Sequence, residues 1–357
     1  MSRATPARTT PGFWQRRAWR ARALLPLALL FRVLVGLRRQ LYRRGVLGVE
    51  RLPTPVIVVG NIAVGGSGKT PAVVWLVGVL RAAGFRPAIV SRGHGGTGSG
   101  ERLVDADADP AQCGDEPVLL ARLACCPVAV GRDRPAAARL VLAAHPECDV
   151  IVADDGMQHY RLGRTLEIAV VDEATLGNRW TLPAGPLREP LARLGEVDLI
   201  LAHGELSPPI RAAAAEVAVA GMRLVGERFR ALNHPEQWCA AAAFGGQNIH
   251  AIAGIGQPQR FFNQLRALGL NVIPHPFPDH HPYCAADLAF APGEVKVMTS
   301  KDAVKCSAFA PDEAWEFPVE AVMDGNAADR ILERLQKWTP DCSKFSSARC
   351  ARGRSIT

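Results

Sequence analysis

The stretch VIVVGNIAVGGSGKT, residues 56–70, decides the fold of this chain. An apolar, β-branched run enters a glycine-rich loop that ends in Gly-Lys-Thr, and a helical pattern follows. The backbone N–H groups of such a loop point at phosphate oxygens, assisted by the positive end of the helix dipole. Ala63 departs from the pattern G-x-x-x-x-G-K-[ST], because it stands where glycine is usual. The stretch predicts a phosphate-binding loop between a buried strand and a helix, and a chance glycine-rich turn is the alternative.

The residues of this loop have separate predicted tasks. The glycines let the backbone approach phosphates without the obstruction of a Cβ. Lys69 would reach the β- and γ-phosphates as a catalytic cation, and Thr70 would ligate Mg²⁺. We therefore expect a P-loop kinase that uses ATP and Mg²⁺. The predicted nucleotide-binding residues are Ala63, Val64, Gly65, Gly66, Ser67, Gly68, Lys69 and Thr70.

Short apolar runs alternate with helical patterns after the loop. Alternation of this kind is typical of an α/β fold, here a P-loop NTPase-type parallel sheet with helices on both faces. Further strands and helices predict a second, smaller α/β lobe. The predicted division is residues 51–235 for the P-loop lobe, residues 236–340 for the second lobe and residues 341–357 for a disordered tail. The predicted strands lie at residues 56–59, 87–90, 128–130, 150–152, 168–171, 199–201, 251–255, 271–273 and 295–299.

The positive charge of the chain is concentrated in residues 1–50, which we expect to be a membrane-association segment. The first 49 residues hold eleven arginines and no acidic residue, whereas the remainder carries 31 basic and 34 acidic side chains. This distribution argues against a nucleic-acid groove in the folded body and favours an N-terminal contact with an anionic surface. The apolar run at residues 23–31 is too short to span a bilayer.

A helix through this segment is predicted to be amphipathic. On a helical wheel most of its arginines share an arc of about 140°, and leucines and valines fill much of the rest. Such a helix lies in the membrane interface with its arginines near lipid phosphates. A helix that packs on the protein's own core is the alternative. The arginines on the arc are Arg22, Arg32, Arg39, Arg43 and Arg44.

Two adjacent carboxylates follow the predicted strand at residues 150–152. Asp154 and Asp155 would then lie at the carboxyl end of a buried strand, where ligands bind in open α/β sheets. Carboxylate oxygens there suit the Mg²⁺ that accompanies a nucleotide. A solvated Asp-Asp-Gly turn is the alternative, and the sequence does not show which aspartate ligates the metal.

Several longer motifs closely resemble the tetraacyldisaccharide 4'-kinase family, in order from about residue 13 to about residue 335. The resemblance implies transfer of phosphate from ATP to the 4'-hydroxyl of a lipid A precursor disaccharide 1-phosphate. It also implies a peripheral position on the cytoplasmic face of the bacterial inner membrane. We expect a monomer. The motifs are GNIAVGGSGKTP, SRGHGG, GDEP, DDGMQHYRL, LPAGPLREP, AGIGQPQRFF, DHH and TSKDAVKC.

The resemblance also implies a catalytic Asp–His pair that activates the sugar hydroxyl. The matching positions are Asp115 in GDEP and His280 in DHH, and the adjacent His281 is a rival for the histidine. From the residues alone, Asp115 reads as a helix N-cap, which stays open as an alternative. The pair is 165 residues apart in sequence. We therefore expect the two lobes to close on the substrate.

Further charged residues are candidates for the site. Arg188 and Arg92 would bind phosphate, since guanidinium groups match phosphate geometry. Glu189 and Glu116 are candidate metal ligands. By resemblance alone, Lys301 and Asp302 could contact the base or ribose.

A different class of function remains open from the sequence. One such class is a P-loop GTPase or ATPase switch, or a metallochaperone-type protein, that binds a protein partner. It would recognise the base of its nucleotide with a motif such as N/T-K-x-D. The segment TSKD at residues 299–302 approximates that motif.

Overall fold

Two β-sheets organise residues 11–338, the part of the chain that the computed structural model describes. The expected disorder of residues 341–357 lies outside this part. In chain order the strands are β1 Val56–Gly60, β2 Pro87–Ser91, β3 Arg102–Val104, β4 Val128–Val130, β5 Val150–Asp154, β6 Leu166–Asp172, β7 Leu199–His203, β8 Ala218–Val225, β9 Arg228–Ala231, β10 Trp238–Ala240, β11 Asn248–Ala253, β12 Asn271–Pro276, β13 Val295–Thr299, β14 Ala314–Phe317 and β15 Glu320–Met323.

The first sheet is the predicted parallel sheet with an added strand at each edge. Its nine strands run in the order β15-β8-β7-β6-β1-β5-β2-β4-β3. The seven strands from β8 to β4 are parallel, whereas the edge strands β15 and β3 pair antiparallel. Strand β1 is central and fully buried, as expected for a strand with helices on both faces. The phosphate loop therefore starts at the middle of the sheet.

The helices cover both faces of this sheet. Helices α3, α5 and α12 share one hydrophobic core with Ile57 and Val59, and helices α6 and α8 share the other with Val56 and Val58. Successive residues of β1 thus face opposite cores, as the period of two along a strand requires. The helices are α1 Trp19–Ala23, α2 Leu25–Arg43, α3 Lys69–Ala82, α4 Pro110–Cys113, α5 Asp115–Ala124, α6 Arg134–Ala144, α7 Glu173–Leu176, α8 Pro208–Ala214, α9 Pro258–Ala267, α10 Ala285–Leu288, α11 Ser300–Cys306 and α12 Ala327–Gln336.

The second sheet has six strands in the order β10-β9-β14-β13-β11-β12. Strands β14, β13, β11 and β12 are parallel, and β9 and β10 are antiparallel additions. This is the predicted smaller α/β lobe. Its core is rich in phenylalanine, including Phe229, Phe262 and Phe317.

The chain crosses between the two sheets twice, which differs from the predicted division. Strand β8 belongs to the first sheet and β9 to the second, so the crossing lies near residue 226 rather than at 235. The chain then returns at β15, and helix α12 packs on the first core instead of extending the second lobe to residue 340. At the crossings Gly226 is so close to Phe317 that a Cβ would lie 2.6 Å from the ring. The return was not predictable, since an antiparallel edge strand carries no local sign of which sheet it joins.

Helix α2 lies on the surface with a narrow inner stripe and a wide outer face. Ala28 is buried, and Arg39 forms an ion pair with Glu196. No helix within residues 11–338 is long and apolar enough to cross a membrane. The outer face carries six side chains that are each more than half exposed, namely Leu27, Leu29, Leu30, Val33, Leu34 and Leu37. Packing on the protein's own core therefore accounts for only the inner stripe.

Candidate active site

The phosphate loop connects β1 to α3 in the predicted strand–loop–helix order. Gly68 precedes the helix with φ of 84° and Gly65 has φ of 115°, both in the region that favours glycine. Lys69 is the first helical residue, and its Nζ lies 3.5 Å from the Gly65 carbonyl oxygen. Thr70 follows in the first turn of α3, half-buried. The loop thus presents a lysine, a hydroxyl and backbone N–H groups at a helix N-terminus, which is a ready anion site.

The proline-rich segment at residues 182–190 is fastened to the entry of this loop. The Val64 N–H donates to the Pro186 carbonyl at 2.9 Å, and the Arg188 N–H donates to the Ile62 carbonyl at 2.7 Å. The two segments therefore support each other, and Arg188 is held beside the phosphate loop.

The paired aspartates end strand β5, next to β1. Asp154 is buried, and its Oδ2 accepts a hydrogen bond from the Ser91 hydroxyl at 3.0 Å. Asp155 has a left-handed φ of 48°, and its carboxylate lies 2.8 Å from Arg188 and 3.5 Å from Lys69. The structure therefore brings Lys69, Asp154, Asp155 and Arg188 together at the carboxyl edge of the sheet.

The two aspartates have opposite pKa shifts. Burial, the nearby Glu116 carboxylate and Asp155 raise the pKa of Asp154 to about 6. Burial also opposes ionisation of Asp155, but the charges of Lys69 and Arg188 prevail and hold its pKa well below the ordinary range. Adjacent carboxylates suit a divalent cation that phosphates would help to hold, because no group of three or more His, Cys, Asp or Glu side chains within residues 11–338 is placed to bind a metal ion alone. Asp155 Oδ1 is a candidate atom to bind the cation, because it is buried without a hydrogen bond to any residue of the described chain.

Glu189 is the most deeply buried of the candidate metal ligands and has several partners within the P-loop lobe. Its carboxylate accepts hydrogen bonds from the Tyr160 hydroxyl and the Gln158 amide, and it lies 3.6 Å from Arg193. Its side chain is 1% exposed. These contacts make Glu189 a structural anchor of the segment that carries Arg188.

Two further arginines lie near the paired aspartates, and they differ in burial. Arg92 is exposed just after β2 and forms no ion pair with any residue from 11 to 338. Arg134 was not predicted, and its buried guanidinium donates to the Asp154 carbonyl oxygen at 2.9 Å. Burial lowers the pKa of Arg134 to about 10. The signal for Arg134 was the GRDR segment at residues 131–134, which follows strand β4.

Asp115 and His280 meet across the two lobes. The imidazole Nδ1 of His280 lies 3.1 Å from Asp115 Oδ2. Asp115 follows the N-cap, Gly114, as the first residue of helix α5, and its Oδ1 accepts a hydrogen bond from the Glu116 N–H at 3.0 Å. Burial by itself would raise the pKa of Asp115, but the hydrogen bond from His280 and the charge of Lys301 hold it well below the ordinary range. Asp115 is therefore a buried, ionised carboxylate.

His281 occupies a different environment from its neighbour. Its Nε2 lies 3.2 Å from Asp287, and its ring packs against Phe277 and Tyr283. The structure therefore pairs His280, and not His281, with Asp115. His280 has a left-handed φ of 59°, which turns its ring away from that of His281.

Lys301 and Asp302, the residues that the resemblance offers for the base or ribose, both have partners within the protein. The Asp302 carboxylate is fully buried and accepts hydrogen bonds from the Gly254 N–H at 2.9 Å and the Thr299 hydroxyl at 2.7 Å. Lys301 points into the cluster around Asp115 and His280, which the sequence did not indicate.

A phosphate loop at the centre of a parallel sheet, with the buried Asp154 and the half-buried Asp155 at the end of the adjacent strand, defines a P-loop nucleoside-triphosphate-binding protein of two α/β lobes. A family model described as tetraacyldisaccharide-1-P 4'-kinase matches residues 20–336. The chain belongs to this family.

Similar proteins agree with this assignment. A tetraacyldisaccharide 4'-kinase from Azoarcus sp. (strain BH72) is 64% identical over 335 residues, covering 93% of this chain and 97% of that protein. One from Aromatoleum aromaticum is 61% identical, covering 94% and 99%. The crystal structure of "apo" form LpxK from Aquifex aeolicus in complex with ATP superposes with a TM-score of 0.75 at 27% identity. The superposition covers 88% of this chain and 99% of the Aquifex aeolicus chain.

Proposed function

We propose that this chain transfers the γ-phosphoryl group of ATP to the 4'-hydroxyl of a tetraacyldisaccharide 1-phosphate. The observation that carries the proposal is the contact of Asp115 with His280, a carboxylate and an imidazole from different lobes, beside the phosphate loop. The second lobe also reaches the loop itself, because a Cβ on Gly256 would lie 3.2 Å from the Gly66 nitrogen. Family membership supplies the substrate.

The proposed mechanism divides the work between two groups of residues. Phosphoryl transfer depends mainly on positioning and on neutralising charge. The loop N–H groups, Lys69 and Arg188 would stabilise the charge on the γ-phosphoryl group. Asp115 would accept the proton of the 4'-hydroxyl, and His280 would orient its carboxylate.

We propose Asp154, Asp155, Glu116 and Thr70 as the residues that hold Mg²⁺. A bound Mg²⁺ would supply further charge neutralisation for the phosphoryl transfer. Glu189 would not contact the metal directly but would hold in place the segment that carries Arg188. We also propose that Arg92 binds a phosphate of the lipid substrate, since its guanidinium is exposed and has no ion-pair partner among residues 11–338.

We further propose that helix α2 holds the enzyme, as a monomer, on the cytoplasmic face of the inner membrane. The exposed leucine face supports this, because a lipid substrate must be reached at a bilayer surface. The flanking arginines would contact anionic headgroups.

The switch or metallochaperone alternative is less well supported. A guanine-reading aspartate must expose its carboxylate to the base, but Asp302 is fully buried and bonded to Gly254 and Thr299. If the protein preferred GTP and hydrolysed it without transferring phosphate to the lipid, this alternative would be favoured instead.

The decisive experiment is an assay of the purified protein in detergent with ATP, Mg²⁺ and a tetraacyldisaccharide 1-phosphate. We expect a bisphosphorylated product, detected by mass, that is lost in Lys69→Ala. Asp115→Asn should lower kcat by about 100-fold or more, as expected for loss of a general base. Asp109→Asn is the matched control, because Asp109 caps α4 through the Ala111 N–H and asparagine also caps well. Absence of product from the wild-type protein would refute the proposed function.

A further inference from the structure

Asp302 is a fully buried carboxylate of the second lobe that the proposed mechanism does not use. It lies in the first turn of α11. Its Oδ2 accepts hydrogen bonds from the Gly254 N–H at 2.9 Å and from the Thr299 hydroxyl at 2.7 Å. Its Oδ1 lies 2.8 Å from the ammonium of Lys305. A buried carboxylate is costly unless it is hydrogen-bonded and paired, so these contacts explain how the charge is accommodated.

The contact with Gly254 fixes the loop that brings the second lobe to the phosphate loop. Gly254 follows β11, and the chain continues through Gly256 to the start of α9. A Cβ on Gly256 would lie 3.2 Å from the Gly66 nitrogen. A Cβ on Gly254 would lie 3.0 Å from Asp302 Oδ1 and 2.7 Å from the Tyr283 hydroxyl. The loop is therefore packed closely against Asp302 at one end and against the phosphate loop at the other.

The contact with Lys305 extends to the segment that carries His280. The Lys305 ammonium, whose side chain is 11% exposed, also donates a hydrogen bond to the His281 carbonyl at 3.3 Å. The preceding residue is His280, whose ring contacts Asp115 of the P-loop lobe. Asp302 is thus connected, directly or through Lys305, to two segments of the second lobe that reach the P-loop lobe.

A local role in capping α11 does not account for all of these contacts. In a capping box, an acidic side chain at the third helical position bonds back to its own N-cap residue. Asp302 occupies that position, and Thr299 is the N-cap. However, Oδ2 of Asp302 also reaches Gly254, which is 48 residues away in sequence and belongs to a different strand–helix connection. This contact between distant segments indicates a role beyond the helix itself.

We propose that Asp302 is a positioning residue that holds the Gly254–Gly256 loop beside the phosphate loop and the His280 segment beside Asp115. It acts on ATP binding through the loop and on phosphoryl transfer through the His280 segment. Such placement matters because a displacement of about 1 Å can lower a rate about 100-fold. The inference rests on the proposed kinase function, but ATP affinity is measured without the lipid substrate and so stands apart from the transfer assay.

The first test changes the carboxylate to an amide of the same shape. In Asp302→Asn the ion pair with Lys305 is lost. We expect the Kd for ATP, from calorimetry, to rise about tenfold and kcat to fall about 10- to 100-fold.

Glu316→Gln is the matched control for the first test. Glu316 is a buried carboxylate of the same lobe, and it pairs with Arg230 of β9. Its replacement should also lower the melting temperature, but it should leave the Kd for ATP and kcat within about threefold of the wild type. If both variants had equal effects on Kd and kcat, Asp302 would be only a structural ion-pair member and the proposal would be overturned.

The second test displaces the loop without removing a charge, which covers the case that Asp302→Asn folds poorly. Gly254→Ala places a methyl group against Asp302 Oδ1 and the Tyr283 hydroxyl, so the loop should shift. We expect the Kd for ATP to rise and kcat to fall, as in Asp302→Asn. The double variant should be within about threefold of Asp302→Asn, because both changes break one contact. Fully multiplicative losses, or unchanged ATP affinity and kcat in Gly254→Ala, would show that this contact does not position the loop.

Discussion

At the scale of single residues, two side chains of the site depend on unusual backbone conformations. His280 and Asp155 have φ values of 59° and 48°, where residues other than glycine seldom lie. Such conformations cluster at functional sites, since the surrounding structure must hold them. They direct the His280 ring toward Asp115 and the Asp155 carboxylate toward Lys69 and Arg188.

The two adjacent histidines should respond differently to substitution. His280→Ala removes the partner of Asp115, and we expect kcat to fall roughly 100-fold. His281→Ala removes a contact with Asp287 and ring packing, so it should lower the free energy of unfolding by about 1–2 kcal/mol and leave kcat within about threefold. Steady-state kinetics and thermal melting of both variants check this. The opposite pattern would assign the catalytic role to His281.

His159 should make the protein sensitive to acid. Burial, reinforced by the charge of Arg134, lowers the pKa of His159 to about 4, against about 6.5 when unfolded. The unfolded state therefore binds more protons between these values, and stability is lost as pH falls from about 6.5 toward 4. Because solvent screens this half-buried ring, the loss at pH 5 is about 1 kcal/mol.

The variant His159→Gln should lose this part of the pH dependence. Its melting temperature should decrease less between pH 7 and pH 5 than that of the wild-type protein. His234→Gln is the control, because that side chain is 63% exposed. Equal slopes for His159→Gln and the wild type would contradict the assignment.

At the scale of elements, helix α2 has one face that packs on the protein and one face that is exposed. Its inner stripe packs on the P-loop lobe, and Thr181 donates a hydrogen bond to the Ala28 carbonyl at 3.1 Å. Its outer face leaves six leucine and valine side chains exposed, as an interfacial helix requires.

Polar substitutions on the outer face of α2 should weaken binding to vesicles that contain anionic lipid. Each leucine that enters the bilayer contributes about 1.5–3 kcal/mol. The double variant Leu30→Gln/Leu34→Gln should therefore bind at least about 100-fold more weakly, as measured by vesicle co-sedimentation. Leu103→Gln/Val322→Gln is the matched control, since these exposed side chains lie on the edge strands β3 and β15. Equal loss in both variants would exclude a specific role for α2.

At the scale of the whole molecule, the two lobes contact each other at several points, one of them at the phosphate loop. Arg260 of α9 forms an ion pair with the buried Asp172 of β6 at 2.8 Å, and Lys301 of α11 contacts Glu116 of α5. Gly256 lies against Gly66. The crossings at β8–β9 and β14–β15 are the covalent links between the two lobes.

A side chain at position 256 should interfere with nucleotide binding. A Cβ there lies 3.2 Å from the Gly66 nitrogen, so Gly256→Val would push the second lobe away from the loop or cover its N–H group. We expect the Kd for ATP to rise at least about tenfold with little change in melting temperature. Gly48→Val is the control, because nothing lies within 4 Å of a Cβ at that position. Unchanged ATP affinity in Gly256→Val would show that this contact is not needed for binding.

The sequence by itself determined the features that depend on short stretches. Residues 56–70 predicted the phosphate loop, because strand, glycine and helix signals lie next to one another there. Apolar runs predicted six of the seven parallel strands of the first sheet, since a strand buried on both faces must be apolar throughout, and missed the half-exposed β8. The amphipathic α2 followed from its helical period, and the motifs identified the family.

Only the tertiary structure decided the features that depend on partners far apart in sequence. The edge strands and the return of β15 to the first sheet follow from long-range pairing, which no local pattern encodes. The choice of His280 over His281 depends on a backbone turn, and the internal bonding of Glu189 depends on Tyr160 and Gln158. Lys301 entered the site because α11 packs against α5, 185 residues away from Glu116 in sequence. Periodicity reports which face of an element is buried, whereas the charges that meet in a site are selected by how the elements pack.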